Sequence, residues 1–213
     1  MKDTYVVGMW SSTFESSLLW KASRNGQIDG SPSIRPETYR APTFSWASID
    51  GQITAPTPTR ENLLIEVVGF HLDHDSPDTT GLITGGYLDL KCRPGSFKMV
   101  VNYIGKLQQL FLEVDGAIVK SKHKKNWSAG VGVNLDVGQA QKSFDDENKA
   151  GSLYYVPTQK RTTAGVYLWY LLLVAEDETK TTFRRIGIAV TAEAEEIGLL
   201  STVDKEVRTI RIV

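Results

Sequence analysis

Ten consecutive positions, Val166 to Ala175 (VYLWYLLLVA), are all aliphatic or aromatic. A helix that crosses a bilayer needs about 20 such residues, so this run is of strand or short-helix length. Laid out as a strand it presents apolar groups on both faces, because successive side chains point opposite ways. It therefore predicts a central strand, covered on two sides or forming one wall of an apolar cavity.

Other runs of strand length surround it. They fall near Tyr5–Trp10, Phe44–Ser48, Leu63–Leu72, Leu82–Cys92, Phe97–Tyr103, Leu110–Val114, Gly130–Val137, Phe183–Val190 and Val207–Ile212. Within Leu82–Cys92, Leu82, Leu88, Leu90 and Cys92 share one face while Asp89 and Lys91 share the other, the pattern of a half-buried strand. Thr13 to Lys21 (TFESSLLWK) fits a short helix, with Phe14, Leu18 and Trp20 near one side and Thr13 as N-cap. Thr191–Leu200 fits a second. Ala22–Thr38 is rich in Gly, Ser, Asn and Pro and reads as loop, as does Gly138–Ser152. The expected fold is mainly β: a curled antiparallel sheet, barrel- or sandwich-like, with one or two short helices. It forms one domain over residues 1–213, with a variable surface insertion around 138–152.

Charge narrows the function. Lys plus Arg number 24 against 25 acidic residues, so no overall field favours nucleic acid or an anionic membrane. The single cysteine, Cys92, makes no internal disulfide and cannot build a thiolate zinc site. The opening MKDTYVVGMW lacks the apolar stretch of a signal peptide. An intracellular, cytoplasmic location is the expectation.

The most specific signature lies in the first quarter of the chain: GMW (Gly8, Met9, Trp10), LLW (Leu18, Leu19, Trp20), then RPETYRAPTFSWASIDG. These motifs resemble the segment that follows the HET domain in fungal heterokaryon-incompatibility proteins, where the usual pattern is G-L-W, L-L-W and R-x-x-x-Y-R-A-P-S-W-S-W-A-S-x-D-G. The matching positions of the third motif are Arg35, Tyr39, Arg40, Ala41, Pro42, Ser45, Trp46, Ala47, Ser48, Asp50 and Gly51. Later segments are similar too: GLITGGYLDLKC, VYLWYLLLVAED, FRRIGIAV and EVRTIRIV. The likeness thins between about Lys106 and Ala164, and Phe44 stands where the family usually has tryptophan. The resemblance implies a fungal origin and the family's β-rich C-terminal fold. The HET domain itself, associated with incompatibility and cell death, is not in this sequence. The expectation is a free-standing domain that does not inherit that effector activity.

Local motifs have bland readings that compete with functional ones. Ser45–Ser48 is read as core packing, with Trp46 and Phe44 alternating on a strand, and Asp50-Gly51 as a turn. His71, Asp73, His74 and Asp75 (HLDHD) form the one metal-like cluster, with His123 the only other histidine available. A polar strand end explains them better, so no metal is assigned. Lys120–Lys125 (KSKHKK), followed by Trp127, could hold a phosphate backbone, but a solvated loop is the preferred reading and no nucleic acid is expected. There is no G-x-S-x-G, no P-loop and no G-x-G-x-x-G; Gly130-Val131-Gly132 is too little. Cys92, on an apolar strand face, reads as an inert packed thiol.

What remains is aromatic content: five Trp, eight Tyr and seven Phe. A curled sheet can enclose an apolar hollow with a few polar groups. The leading expectation is a cofactor-independent enzyme of fungal secondary metabolism that folds a hydrophobic substrate for cyclisation or isomerisation, such as a Diels–Alder step. Tyr39, Arg40, His71 and Tyr87 are its candidate donors, and Trp10, Trp20, Trp46, Trp169 and Tyr170 its candidate walls. The alternative is a regulatory or protein-interaction module, which calls for an exposed apolar patch or edge strand.

Overall fold

The computed structural model describes residues 3–23, 33–77, 81–104, 107–119, 132–137, 144–162, 166–192, 197–198 and 200–213. In chain order the strands are β1 (Tyr5–Val6), β2 (Met9–Trp10), β3 (Lys21–Ala22), β4 (Ile53–Thr54), β5 (Glu66–His74), β6 (Ile83–Cys92), β7 (Gly95–Ser96), β8 (Lys98–Ile104), β9 (Leu107–Val114) and β10 (Ala117–Val119). They continue with β11 (Gly132–Leu135), β12 (Leu153–Thr162), β13 (Val166–Ala175), β14 (Thr182–Thr191) and β15 (Arg208–Ile212). Among the described residues there are also two short helices, α1 (Phe14–Ser17) and α2 (Asp145–Ala150). The fold is mainly β, built from antiparallel sheets packed sandwich-fashion, as the strand-length runs predict.

The main sheet has the order β5-β6-β15-β14-β13-β12-β7, with β11 added on β14. It is curled. β6 pairs with β15 near one end, yet β7, three residues beyond the end of β6, pairs with β12 at the other. A bridge between Leu63 and Gln159 ties the approach to β5 onto β12 as well. Nearly all pairings are antiparallel; β14 and β15 run parallel, so the chain between them must cross over the sheet.

β13 is central, with β12 on one side and β14 on the other. Its two apolar faces feed two cores. Leu171 and Leu173 pack with Val6, Phe14, Leu18 and Phe44 of the N-terminal layer. Tyr170, Leu172 and Val174 pack with Phe97, Met99 and Leu112 of the β10-β9-β8 sheet. A run apolar on both faces is thus satisfied by a layer on each side.

Four expectations need correction. Phe44–Ser48 is not a strand: Trp46–Ser48 is a 3-10 turn, with the Ser45 hydroxyl accepting from the Ala47 N–H. Phe44 goes to the core while Trp46 stays partly exposed. The expected helix over Thr13–Lys21 shrinks to α1; Thr13 makes no side-chain cap, and Lys21 already belongs to β3. Gly138–Ser152 is not all loop. Asp145–Ala150 is helical, opened by Asp145, Asp146 and Glu147 and closed by Gly151 at φ 59°. The Asn148 amide bolts it to β8, accepting from the Met99 N–H at 2.8 Å and donating to the Met99 carbonyl at 3.0 Å. Finally, β12 was not foreseen, because Pro157 interrupts its pattern; the ladder shifts register between Pro157 and Gln159, where a missing N–H can be tolerated. Residues 193–196 and 199, half of the second expected helix, lie outside the described residues, and Thr191 at its start belongs to β14.

One buried ion pair fastens the N-terminal layer to the sheet. Arg185 of β14 and Asp136, just past β11, are both inaccessible to solvent. The guanidinium meets the carboxylate bidentately, Nε to Oδ2 and Nη2 to Oδ1, both at 3.0 Å. Its remaining donors reach the carbonyls of Leu18 and Trp20, and its plane lies 3.6 Å from the centre of the Trp20 ring. The Trp20 indole N–H donates to the Phe44 carbonyl at 2.9 Å. Arg35 joins from the surface side, donating to the Arg185 carbonyl and the Ser48 hydroxyl, with Asp136 3.7 Å away. Burial pushes the Asp136 carboxyl up and Arg185 down from their ordinary values, while each charge pulls the other back.

Removing one partner strands a buried charge. Arg185→Ala should lower stability by about 3–5 kcal/mol, read from the urea midpoint; an effect below about 1 kcal/mol would deny the pair its structural role. The β13–β14 turn gives a separate, pH-dependent expectation. Asp177 accepts from the Thr181 and Thr179 hydroxyls and from the Thr181 and Thr182 N–H groups, which hold its carboxyl well below the usual range. A depressed carboxylate stabilises above its unfolded pKa of about 4 and loses that contribution as pH falls through the folded value. Asp177→Asn should flatten the acid limb of a stability–pH profile.

Candidate functional site

The aromatic residues nominated as walls are dispersed. Trp20 is fully buried beneath Arg185, and Tyr170 is fully buried on the opposite side of the sheet. Trp169, its neighbour on β13, faces the N-terminal layer, with Arg161 5.8 Å above its ring. Trp10 and Trp46 sit on the outside. The β1–β2 hairpin turns at Val7-Gly8, both with positive φ, the signature of a tight primed turn. A Cβ on Gly8 would lie 2.5 Å from the Trp46 indole, whose N–H donates to the Gly8 carbonyl. Tyr5 packs edge-on against Trp10 at 5.3 Å. Tyr5, Trp10 and Trp46 are 60, 52 and 38% exposed, so this hairpin carries an aromatic patch rather than a cavity wall.

Two of the nominated donors, His71 and Tyr87, lie on the other half of the curled sheet, while Tyr39 and Arg40 lie in the irregular segment before Pro42. His71 pairs across with Tyr87, Arg211 with Asp89, and these side chains form a polar row on the face opposite Leu88 and Leu90. His71 Nε2 is 2.9 Å from Asp73 Oδ1, as the i, i+2 spacing on a strand requires. The Tyr87 ring lies 5.5 Å from the His71 ring, and Arg211 stacks 3.5 Å over Tyr87 while gripping Asp89 bidentately. Burial, with the nearby charge of Asp73, raises the Tyr39 phenol above its ordinary value. Arg40 makes an exposed ion pair with Asp50 at 2.8 Å. The row brings His71, Tyr87 and the vicinity of Tyr39 together, but its groups are satisfied by one another. His123 and Lys120–Lys125 lie outside the described residues.

A hollow with a better claim lies elsewhere. Described residues between β14 and the parallel β15, from Ile197 to Val207, face β12, the approach to β5 and the end of β6. They leave a groove of about 520 Å³. Leu63, Leu64, Ile65, Pro157 and Leu168 line the sheet side; Ile197, Leu200, Val203 and Val207 line the crossover. Polar groups are Glu66, Lys91, Arg93, Ser201 and Thr202. An adjoining hollow of about 490 Å³ shares Leu168 and Ile197 and adds Lys160, Val166 and Ala192. Leu64, Val166, Val203 and Val207 remain exposed along it, Val203 at 78%. Apolar side chains left in water on both lips of a groove make it the candidate site.

Sequence reasoning missed this site. Leu63-Leu64-Ile65 is a visible apolar triplet, but its partners come from two distant segments joined only by the parallel crossover. Among the described residues no helix is long and apolar enough to cross a membrane.

Comparison with protein-family models, curated proteins and solved structures finds no match. The functional reading therefore rests on the geometry alone.

Cys92 also touches the groove, from its floor. Burial pushes its thiol up to about 12 against the opposing pull of Arg208, so little thiolate exists near neutrality. The expected outcome is no reaction with a thiol-specific chromogenic reagent at pH 8 in the native protein and one equivalent consumed after unfolding; rapid native labelling would contradict the packing described.

Proposed function

We propose that this domain binds a hydrophobic small molecule in the groove beneath the β14–β15 crossover. The supporting observation is the groove itself: apolar walls contributed by both the sheet and the crossover, a volume within the range of small-molecule sites, and a few polar groups at its rim. In the catalytic form of this reading, the apolar walls fold a flexible substrate toward a reactive conformer for cyclisation or isomerisation, including a Diels–Alder-type closure. The rim donors hydrogen-bond a polarised carbonyl. The row from Asp73 to Asp89 is not needed for it.

Kinship with the C-terminal region of HET-domain proteins belongs to the same proposal. In its favour, residues from separate motifs of that likeness (Leu18, Trp20, Arg35, Ser48 and Arg185) meet in one hydrogen-bonded network.

A second reading, a protein-interaction module, is favoured by a different feature, the exposed Tyr5–Trp10–Trp46 patch on the β1–β2 hairpin. Exposed aromatic clusters of this kind commonly form interface centres.

The groove reading is tested by titrating the protein with an environment-sensitive apolar fluorophore. Leu64→Glu and Val207→Glu change exposed groove residues and should leave the urea midpoint within about 0.5 kcal/mol of the parent. Each should weaken probe binding about tenfold, the scale of one lost apolar side-chain contact. Unaltered binding in both variants, or loss of binding on Trp10→Ala instead, would move the site to the hairpin.

A further inference from the structure

The polar groups at the rim of the groove narrow the class of ligand. Lys91 is paired with Glu66 at 3.4 Å, so those two charges largely cancel. Arg93, two residues on, makes no ion pair or side-chain hydrogen bond among the described residues, and it lines the same groove. Its position is fixed from both sides. Cys92 before it is buried, and so are Pro94 and Gly95 after it. The following proline restricts Arg93 to extended backbone. Gly95 lies so close to the Tyr155 ring that a Cβ there would come within 2.4 Å of it, so the segment cannot shift sideways. The result is an exposed guanidinium held on a rigid support at the edge of an apolar trough. The planar fork of N–H donors matches a carboxylate bidentately.

We infer that the ligand is an amphipathic monoanion, a linear apolar chain ending in one carboxylate, with Arg93 receiving the head group and the Leu63–Ile65 and Leu168 walls receiving the chain. This inference rests on the groove reading above and sharpens it. The adjoining hollow, which shares Leu168 and Ile197, lets the chain extend past the first. Each further methylene buried should tighten binding about fourfold. Arg93 acts here by direct contact with the head group; it is assigned no step in any reaction.

The test compares dodecanoate with dodecanol, below their aggregation concentrations, on the full chain and on Arg93→Gln and Arg93→Lys, by displacement of the fluorophore. Arg93 is exposed, so neither variant should disturb folding. The parent protein should bind dodecanoate about tenfold or more tighter than dodecanol, the worth of a charge-assisted pair. Arg93→Gln should erase that preference while leaving the alcohol's affinity unchanged, and Arg93→Lys should restore part of it. Equal affinity of the parent for acid and alcohol would overturn the carboxylate inference and leave the groove reading standing. Failure of both compounds to displace the probe would overturn the two together. A preference that persists in Arg93→Gln would assign the head group to another cation and also defeat the inference.

Discussion

The N-terminal layer covers one face of the main sheet only because Arg185 can be buried there. A guanidinium in an apolar core is costly unless its charge is paired and its donors are met. Asp136 supplies the charge and two acceptors, the Leu18 and Trp20 carbonyls supply more, and the Trp20 ring covers the cation's face. These groups come from three distant stretches of chain. Their meeting fixes where the segment after α1 lies, and with it the placement of Phe14, Leu18 and Phe44 on the sheet. Apolar packing alone would let that layer slide; a bidentate pair with a stacked ring allows one position.

This arrangement accounts for why the chain's most distinctive motifs are structural. Gly8 is required by the approach of the Trp46 indole and by its positive φ. Ser45 both caps the 3-10 turn and donates to the Val7 carbonyl, while Ser48 receives Arg35. Most of the tryptophans that suggest a cavity are occupied with such contacts, and the apolar walls of the groove are leucine, isoleucine, valine and proline instead.

Much of the sheet could be read from residues alone. The all-apolar Val166–Ala175 run announces a strand covered on both sides, and the alternation through Leu88, Leu90 and Cys92 announces one with a polar face; both hold. The misses have local causes. Pro157 disguises β12 because a register shift absorbs it, a tertiary event with no mark in the sequence. Trp46 looks like a core residue on a strand because the capping role of Ser45 competes with the period-2 pattern and wins. The DDENKAG stretch did carry a helix signal, acidic start and glycine stop, that its surroundings obscured. Nothing in FRRIGIAV marks Arg185 as a buried residue; only the arrival of Asp136 and Trp20 reveals it. The groove was illegible for a similar reason, since a parallel crossover brings Val203 and Val207 beside Leu64, and pairing order is not written in any one segment.

The N-terminal layer is fastened only if Arg185 and Asp136 act as a unit, and a double-mutant cycle measures that directly. With Arg185→Met, Asp136→Leu and the double variant compared by urea unfolding, strong coupling is expected: the double variant should be more stable than either single one, because no lone buried charge remains. Costs that simply add, to within about 0.5 kcal/mol, would mean the two side chains do not depend on each other, and the fastening described here would not exist.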